Sequence, residues 1–238
     1  MINSSDIKRI NKLHRKVNRK KTGQFIVEGN KCVSELLLSK YNVIELYAVK
    51  DWKNTFDKTE VKYISQSNLQ RISSFKKANK VIAVASVSDN IYDYKHNITL
   101  VLDDISDPGN LGTIIRLADW FSIKGIVCSE NSVDMFNNKV IQASMGSVFR
   151  VNVMYKKLST YLSKVNTKVY GTFKNGNNVK DYNFDRNCHL LLGNESIGIS
   201  DELKTNIDQN ISIKKFGNEI DSLNVAVSAA IMLHEFTS

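Results

Sequence analysis

In the first part of the chain, short apolar runs of strand length alternate with amphipathic stretches. The strand-like runs are GQFIVEG, VIELYAV and KVIAVASV, and the stretches with helical spacing are NKCVSELLLS and SQSNLQRISS. This pattern predicts a small α/β unit that ends near residue 90. The following segment, SDNIYDYKHN, is polar and has no periodicity, so we interpret it as a linker.

From Ile98 onward the alternation becomes regular. The run ITLVLDD is continuously apolar, as expected for a strand that is buried on both faces. Five more strands are predicted, and these are KGIVCSE, SVFRVNV, TKVYGTF, HLLLG and NISIK, with helical patterns between them and after them. Strands that alternate with helices predict an α/β, doubly wound and mostly parallel sheet. We therefore expect two domains, residues 1–95 and residues 96–238, and we expect the second to fold without the first.

Ligands of such sheets bind beyond the carboxyl ends of the strands. The loops to inspect are therefore those after VLDD, YGTF, LLLG and SIK. None of them contains a G-x-G-x-x-G that opens a helix, and no GKS or GKT follows a glycine loop. The stretch GNESIG has the glycine spacing of a P-loop without its lysine. A dinucleotide-dependent dehydrogenase and an NTPase are therefore both disfavoured.

Charge is distributed unevenly along the chain, whose net charge is +9. Residues 1–95 hold 19 Lys and Arg against 9 Asp and Glu, whereas residues 96–238 hold 14 against 15. Eight of the basic residues lie in the first 21 positions, a basic arm whose only acidic residue is Asp6. A charge run by itself is usually a solvated helix face or a disordered tail. The asymmetry between the two parts, however, indicates that the first part binds a polyanion.

Composition excludes several other classes. Cys32, Cys128 and Cys188 are odd in number and form no C-x-x-C pair, which is typical of reduced thiols in a cytoplasmic protein. The four histidines have no metal-ligand spacing, so we expect no metal. No apolar run approaches the roughly 20 residues that span a bilayer, and the N-terminus has no secretory pattern, so we expect no membrane association.

The stretch DDISDPGNLG contains Pro108, the only proline of the chain. Proline restricts φ and Gly109 permits a positive φ, so we predict a defined turn from Asp107 to Asn110 that leads into a helix. Asn110 is then either the N-cap of that helix or a side chain held beside a ligand. Arg116 lies further along the same helix, where a surface arginine is the ordinary interpretation.

Three stretches of the second part resemble the successive motifs of the SpoU (TrmH-like) RNA ribose 2'-O-methyltransferases of the SPOUT class. They are LDDISDPGNLGTIIRLADWF, LLLGNESIGIS and DSLNVAVSAAIMLHEF. IQASMGSVFRV is similar to a segment between the first two motifs, and GQFIVEGNKCVSELL resembles the small substrate-binding domain of many members. The resemblance covers nearly the whole chain after residue 20. It implies methyl transfer from S-adenosylmethionine to RNA, a deep trefoil knot and a homodimer.

The resemblance also implies roles for individual residues. The catalytic candidates are Asn110, Arg116, Glu195, Ser222 and Asn224, and the cofactor-binding candidates are Thr172, Gly193, Ile213 and Leu223. Gly193 ends a strand without a side chain, which lets the cofactor approach the backbone. Ser222 is expected to cap the last helix. Glu195 has an alternative interpretation as a carboxylate that faces the amides at a helix start.

The implied chemistry needs the ribose hydroxyl to lose a proton, while the sulfonium is already a good leaving group. The motifs contain no histidine or cysteine. In the family, the arginine that matches Arg116 is implicated in activating the hydroxyl. A guanidinium is a poor base, so we favour a role in which Arg116 grips the neighbouring phosphate and stabilises the developing alkoxide. The sequence does not separate these two mechanisms.

The chain also departs from the family pattern. Lys214 stands where the family often has proline, and the stretch IKKFGNEIDSLN is longer than usual, so Ile213 is a weaker cofactor candidate than Gly193 or Leu223. Ser196 stands where glycine is common. Three alternatives stay open: a catalytically silent RNA-binding or ribosome-assembly protein, a methyltransferase that acts on a base nitrogen, and a tRNA rather than an rRNA target. The additional N-terminal domain favours rRNA.

Overall fold

The computed structural model describes residues 2–53, 59–87 and 98–238. The predicted linker, residues 88–97, and the proposed boundary between residues 95 and 96 lie outside the described residues. The described chain forms two β-sheets, one in each predicted part.

The N-terminal unit contains a four-stranded sheet in the order β1-β4-β2-β3. Its elements are α1 (Ser4–Lys12), α2 (Lys16–Thr22), β1 (Gln24–Glu28), α3 (Asn30–Leu37), β2 (Val43–Ala48), β3 (Val61–Tyr63), α4 (Gln66–Ile72) and β4 (Val81–Ser86). β4 is antiparallel to both β1 and β2, and β3 is parallel to β2. All five elements predicted in this part are confirmed, and β3 is an additional short strand at the edge.

The basic arm folds into α1 and α2. Asn3 caps α1, because its side chain accepts from the backbone N–H of Asp6 and the Asp6 side chain accepts in return. One face of α1 buries Ile7 and Ile10, and α2 ends at Gly23, whose φ is 64°. The basic side chains of the arm are therefore carried by folded helices and not by a disordered tail.

The C-terminal unit is built on a six-stranded sheet in the order β10-β8-β9-β5-β6-β7, and every described strand pair in it is parallel. Its elements are β5 (Thr99–Leu102), α5 (Pro108–Trp120), β6 (Gly125–Ser129), α6 (Asn138–Ser144), β7 (Asn152–Lys156), α7 (Leu158–Leu162), β8 (Val169–Asn178), β9 (His189–Leu192), α8 (Asp201–Lys204), β10 (Gln209–Ser212) and α9 (Val225–Thr237). The predicted doubly wound parallel sheet is confirmed.

The predicted strand SVFRVNV is wrong in its first half. Residues 147–149 form a 3-10 turn, and the strand begins only at Asn152. Met145 and Gly146 both have positive φ values, so the chain turns sharply after α6. Val148 and Phe149 are buried. Their apolar character therefore reflects packing against the core and not a strand.

The four strands β10, β8, β9 and β5 are neighbours and run in parallel, so their carboxyl ends share one edge of the sheet. β5 and β9 are buried along their whole length, as the continuous apolar runs predict. β10 pairs first with Tyr170 and Gly171 and then with Asn177 and Asn178, so residues 172–176 bulge from β8. The loops of this edge are the ones that carry the candidate site.

The two units share one hydrophobic core. The ring of Phe25 in β1 stacks on Phe136 at 4.2 Å between centroids, and the buried residues of both units form one continuous cluster. Gln142 Nε2 of α6 donates to the backbone oxygen of Glu28 at 2.6 Å. Arg150 forms a salt bridge with Glu35 of α3. Removal of residues 1–95 would therefore uncover apolar side chains of the second unit, which argues against our expectation that residues 96–238 fold alone.

Candidate active site

Helix α5 begins at Pro108, directly beyond the loop that follows β5. Asp107 is the N-cap, since its Oδ1 accepts from the backbone N–H of Asn110 at 2.8 Å. Pro108 fits the first helical position, because the N–H that proline lacks would have no partner within the helix there. Gly109 is helical and does not adopt the positive φ that glycine permits. Asn110 is not the N-cap either. Its side chain is therefore left to make other contacts.

Asn110, Glu195 and Asn224 form a hydrogen-bonded cluster that joins the three motif stretches. Asn110 Nδ2 donates to Glu195 Oε1 at 2.8 Å, and Asn224 Nδ2 donates to Asn110 Oδ1 at 2.9 Å. None of the three side chains is fully buried, so a substrate can reach them. The structure thus brings together three of the five predicted catalytic residues.

Asn224 is oriented by its position as the N-cap of α9. Its Oδ1 accepts from the backbone N–H groups of Ala226 and Val227 at 2.9 and 3.3 Å, which directs its Nδ2 towards Asn110. The expectation that Ser222 caps this helix is therefore wrong. Ser222 is exposed and lies two residues before the cap.

Within the described residues, Arg116 forms no hydrogen bond with the side chains of this cluster. It follows Asn110 by six residues, about 9 Å along the axis of α5, and its side chain is exposed. Among the described residues it forms no salt bridge with a carboxylate. Its guanidinium is therefore available for an anion from solution, such as a phosphate group.

Gly193 is required by the loop that follows β9. A Cβ at this position would lie 2.2 Å from the carbonyl carbon of Gly198 and 2.3 Å from the nitrogen of Ile199. The loop folds back in this way because Asn194 and Gly198 exchange two backbone hydrogen bonds, of 3.0 and 2.9 Å. The physical reason for glycine here is thus backbone packing, and not only access for a cofactor.

The other cofactor candidates flank the same edge of the sheet. Thr172 is half-buried in β8, Ile213 follows β10 and packs against the core, and Leu223 is about half exposed just before α9. Large apolar side chains are also exposed on these loops, namely Ile197, Phe216 and Ile220. A rim of apolar side chains beside backbone amides and carbonyls suits a ligand with a heteroaromatic ring and a short polar chain. S-adenosylmethionine has this chemistry.

Several residues that support the site were not among the sequence candidates. Asn194 Nδ2 donates to the backbone oxygen of Asp104 at 2.7 Å, and Asp103 Oδ2 accepts from the backbone N–H of Ser200 at 2.8 Å. These bonds connect the loop after β5 to the loop after β9. Asp103 and Asn194 lie inside the motif stretches, so the sequence could have indicated that they support the site. Ser129 and Ser132, which contact the same loop, had no such signal.

His189 is at the opposite edge of the sheet, at the start of β9. Its ring nitrogens are hydrogen-bonded to Tyr161 Oη at 2.9 Å and to Thr167 Oγ1 at 2.8 Å. Burial lowers the pKa of His189 to about 4. This histidine is therefore neutral, and it lies too far from the cluster to act as its base.

Within residues 2–53, 59–87 and 98–238, no group of three or more His, Cys, Asp or Glu side chains is placed to hold a metal ion. Within the same ranges, no helix has the length and apolar character that are needed to cross a membrane.

Two family models match the chain. The SpoU rRNA methylase family matches residues 97–234, and the MRM3-like substrate-binding domain matches residues 4–83. The first match includes all three residues of the Asn110–Glu195–Asn224 cluster. The second covers the N-terminal sheet and the basic arm.

Relatives match over nearly the full length. The 23S rRNA (guanosine(2553)-2'-O)-methyltransferase RlmP of Bacillus subtilis is 30% identical over 94% of this chain and 92% of its own. A solved TrmH-family structure from Porphyromonas gingivalis is 33% identical with a TM-score of 0.88, covering 99% of this chain and 98% of that one. An AdoMet-bound rRNA methyltransferase from Sinorhizobium meliloti is 25% identical with a TM-score of 0.86, covering 99% and 96%. The motifs, the sheet order and these matches together show that the chain belongs to the SpoU rRNA methylase family.

Proposed function

We propose that this protein transfers a methyl group from S-adenosylmethionine to a ribose 2'-hydroxyl of rRNA. The observation that carries the proposal is the Asn110–Glu195–Asn224 cluster, which lies where the loops of neighbouring parallel strands meet. The relative from Bacillus subtilis is named as an rRNA ribose methyltransferase, and the Sinorhizobium meliloti structure contains the methyl donor. Both names support the choice of reaction and of RNA class.

Four residues from different elements would hold the methyl donor. They are Thr172 of β8, Gly193 after β9, Ile213 after β10 and Leu223 before α9. When bound there, S-adenosylmethionine supplies a methyl group on a positively charged sulfur. Thr172 lies directly after the last pairing of β8 with β9, Gly193 and Ile213 follow the ends of β9 and β10, and Leu223 precedes α9. The donor site and the Asn110 cluster therefore share one edge of the sheet.

The cluster orients the acceptor ribose. Both polar atoms of the Asn110 amide are engaged, the nitrogen by Glu195 and the oxygen by Asn224, so the amide cannot rotate freely. One N–H and one lone pair of this amide can still bind the ribose hydroxyls. Glu195 is the ionisable member of the cluster, and a carboxylate accepts a hydrogen bond from the 2'-hydroxyl. A fixed set of donors and acceptors at the reacting oxygen contributes to the rate by orientation.

Arg116 stabilises the negative charge that develops on the ribose oxygen and grips the adjacent phosphate. Its exposure and its lack of a carboxylate partner among the described residues suit this role better than that of a proton acceptor. Bound RNA brings the phosphate to the guanidinium. Ser222 lies on the loop before α9, and its hydroxyl is proposed to face the same substrate.

RNA binds across the junction of the two units. Asn138, the first residue of α6, donates to Ser74 Oγ at 2.7 Å and contacts His14 Nδ1 at 3.2 Å. Around this junction the exposed basic side chains are those of Arg15, Lys76, Lys77 and Lys139, and none of them is paired with a carboxylate within the described residues. Because α6 starts at the carboxyl end of β6, this basic surface continues towards the catalytic edge. Such a surface suits the phosphate backbone of RNA.

We propose that the protein is a cytoplasmic homodimer. We also propose that each chain divides into residues 1–95 and 96–238 and that the second part contains a deep trefoil knot. The exposed Trp120 of α5 and Val227 of α9 supply apolar surface for a second copy. β10 follows β9 in the chain and yet lies beyond β8 in the sheet, a crossing that the knot requires.

Mapping of ribose methylation in cellular RNA, with and without the gene, tests the proposal. We expect one rRNA position to lose its 2'-O-methyl group, and purified protein with S-adenosylmethionine to restore it. Loss of a mark in tRNA instead would contradict the choice of RNA class. RNA binding without any methyl transfer would support the catalytically silent alternative.

A further inference from the structure

The loop that follows β5 contains a strained backbone turn at Asp104. Its φ is 52°, a left-handed conformation that residues other than glycine adopt at a cost in free energy. Asp104 lies three residues before Asp107, the N-cap of α5. The turn is therefore at the base of the segment that delivers Asn110 to the catalytic cluster.

Two serines hold this turn, Ser129 at the end of β6 and Ser132 in the loop that follows. The backbone N–H of Asp104 donates to Ser129 Oγ at 2.8 Å, and the backbone N–H of Ile105 donates to Ser132 Oγ at 3.1 Å. The two hydroxyl oxygens are themselves 2.9 Å apart. Ser132 is completely buried, so water does not compete for these contacts.

The same turn anchors the second catalytic loop. The backbone oxygen of Asp104 accepts from Asn194 Nδ2 at 2.7 Å, and Asn194 precedes Glu195. Asn194 Oδ1 in turn accepts from the backbone N–H of Ser196 at 2.8 Å. Asp104 thus connects, through its own backbone, the segment that carries Asn110 and the segment that carries Glu195.

We infer that Ser129 and Ser132 are positioning residues for methyl transfer, because their paired hydroxyls hold the turn at Asp104 in the form that brings Asn110 and Glu195 together. The inference rests on the proposed function, since it assigns the serines to that reaction. Neither serine lies in the three motif stretches, and neither touches the cluster directly.

The loop after β6, which contains Ser132 and Asp134, is also attached to the basic arm. Lys16 Nζ of α2 donates to the backbone oxygen of Ser132 at 3.3 Å. Arg19, which is 5% exposed, forms a salt bridge with Asp134 at 2.6 Å. The element that we assign to RNA binding is therefore fastened to the loop that holds the catalytic turn.

The first test replaces Ser129 by alanine, which leaves the Asp104 N–H without its partner. We expect the single-turnover rate of methyl transfer to fall at least about tenfold, because the turn loses the hydrogen bond that holds Asp104 at its positive φ and with it Asn110 and Glu195 in place. The Kd values for S-adenosylmethionine and for RNA should stay within about twofold of the wild-type values, because the substituted group belongs to neither site. Ser129→Thr keeps the hydroxyl in a strand position that tolerates threonine, and it should retain the wild-type rate.

Ser144→Ala is the control for the loss of a serine hydroxyl. Ser144 is completely buried, as Ser132 is, and within the described residues its hydroxyl donates inside α6, to the backbone oxygen of Ile141 at 2.9 Å. This variant loses a buried serine hydroxyl without any effect on the catalytic turn. Its single-turnover rate should equal that of the wild type.

A rescue variant separates positioning from general destabilisation. Glycine adopts a positive φ at little cost, so Asp104→Gly added to Ser129→Ala should return most of the lost rate. A merely structural role of Ser129 predicts no such recovery, since the unpaired N–H would remain. Normal transfer by Ser129→Ala, or no recovery in the double variant, would overturn the inference. An inactive wild-type protein, in contrast, would refute the proposed function itself.

Discussion

Asn110→Asp is the substitution that examines the catalytic cluster most closely, because it changes one NH₂ group to an oxygen and keeps the shape. The variant loses the donor that reaches Glu195 Oε1 at 2.8 Å and places two carboxylates against each other. A hydrogen bond to a charged acceptor contributes about 1.5–3 kcal/mol, and like charges at about 4 Å repel by up to about 4 kcal/mol near a protein surface. Because the site is partly exposed, we take about 3–4 kcal/mol for both effects together.

If this free energy is needed in the transition state, the rate of transfer falls about 200-fold to 1,000-fold. Single-turnover transfer of a radiolabelled methyl group to RNA measures the rate, and calorimetry measures the affinity for S-adenosylmethionine, which should change little. Asn137→Asp is the matched control, since Asn137 is the N-cap of α6 and aspartate caps a helix equally well. A rate near that of the wild type in Asn110→Asp would refute the role of the cluster.

Three further outcomes follow from the structure. Arg116→Lys keeps the charge but loses the planar guanidinium that can bind two oxygens at once. Single-turnover transfer should therefore fall at least about a hundredfold while the affinity for the cofactor stays unchanged, and a smaller fall in rate would contradict the role assigned to Arg116. Gly193→Val should abolish binding of S-adenosylmethionine in calorimetry, because a side chain there displaces the backbone at Gly198. If the variant binds the cofactor as tightly as the wild type does, this loop is not part of the donor site. His189 has a pKa of about 4 in the folded protein and takes up a proton near its ordinary pKa of about 6.5 when the protein unfolds. The free energy of unfolding, measured in urea, should therefore be highest above about pH 6.5 and fall towards pH 4 by up to about 3 kcal/mol. His189→Gln should flatten that decline. An unchanged pH dependence in this variant would show that protonation of His189 is not its cause.

The parallel sheet was predictable because its central strands are buried on both faces. β5 and β9 are uninterrupted apolar runs, a pattern that few other structures produce. The edge strand β3 is only three residues long and exposed, so it leaves no comparable pattern. The 3-10 turn at Val148 and Phe149 misled the prediction, because burial against the N-terminal unit makes a non-strand segment apolar.

The helices of the basic arm were obscured by charge. Ile7 and Ile10 have the spacing of one helix face, but the surrounding lysines and arginines dominate the composition. Their burial depends on packing against the rest of the N-terminal unit, where α1 lies beside α4. A pattern confined to the arm could not distinguish this packed helix from a solvated one.

For the site, sequence reasoning identified the side chains and missed part of their support. Asn110, Glu195 and Asn224 follow strand ends or begin helices at one edge of the sheet, so their proximity could be expected. The roles of Asp107 and Asn224 as N-caps depend on where each helix begins, which composition leaves uncertain by a few residues. Ser129 contacts Asp104 across 25 residues of chain, and nothing local predicts that contact.

The central claim is that the Asn110 cluster directs a methyl group to a ribose hydroxyl of rRNA. The most direct measurement is ribose-methylation mapping of rRNA from cells that lack the gene, complemented with either the wild-type gene or the Asn110→Asp variant. The account predicts that one 2'-O-methyl mark is absent without the gene, returns with the wild type and stays absent with the variant. A full set of rRNA marks in the cells that lack the gene would contradict it.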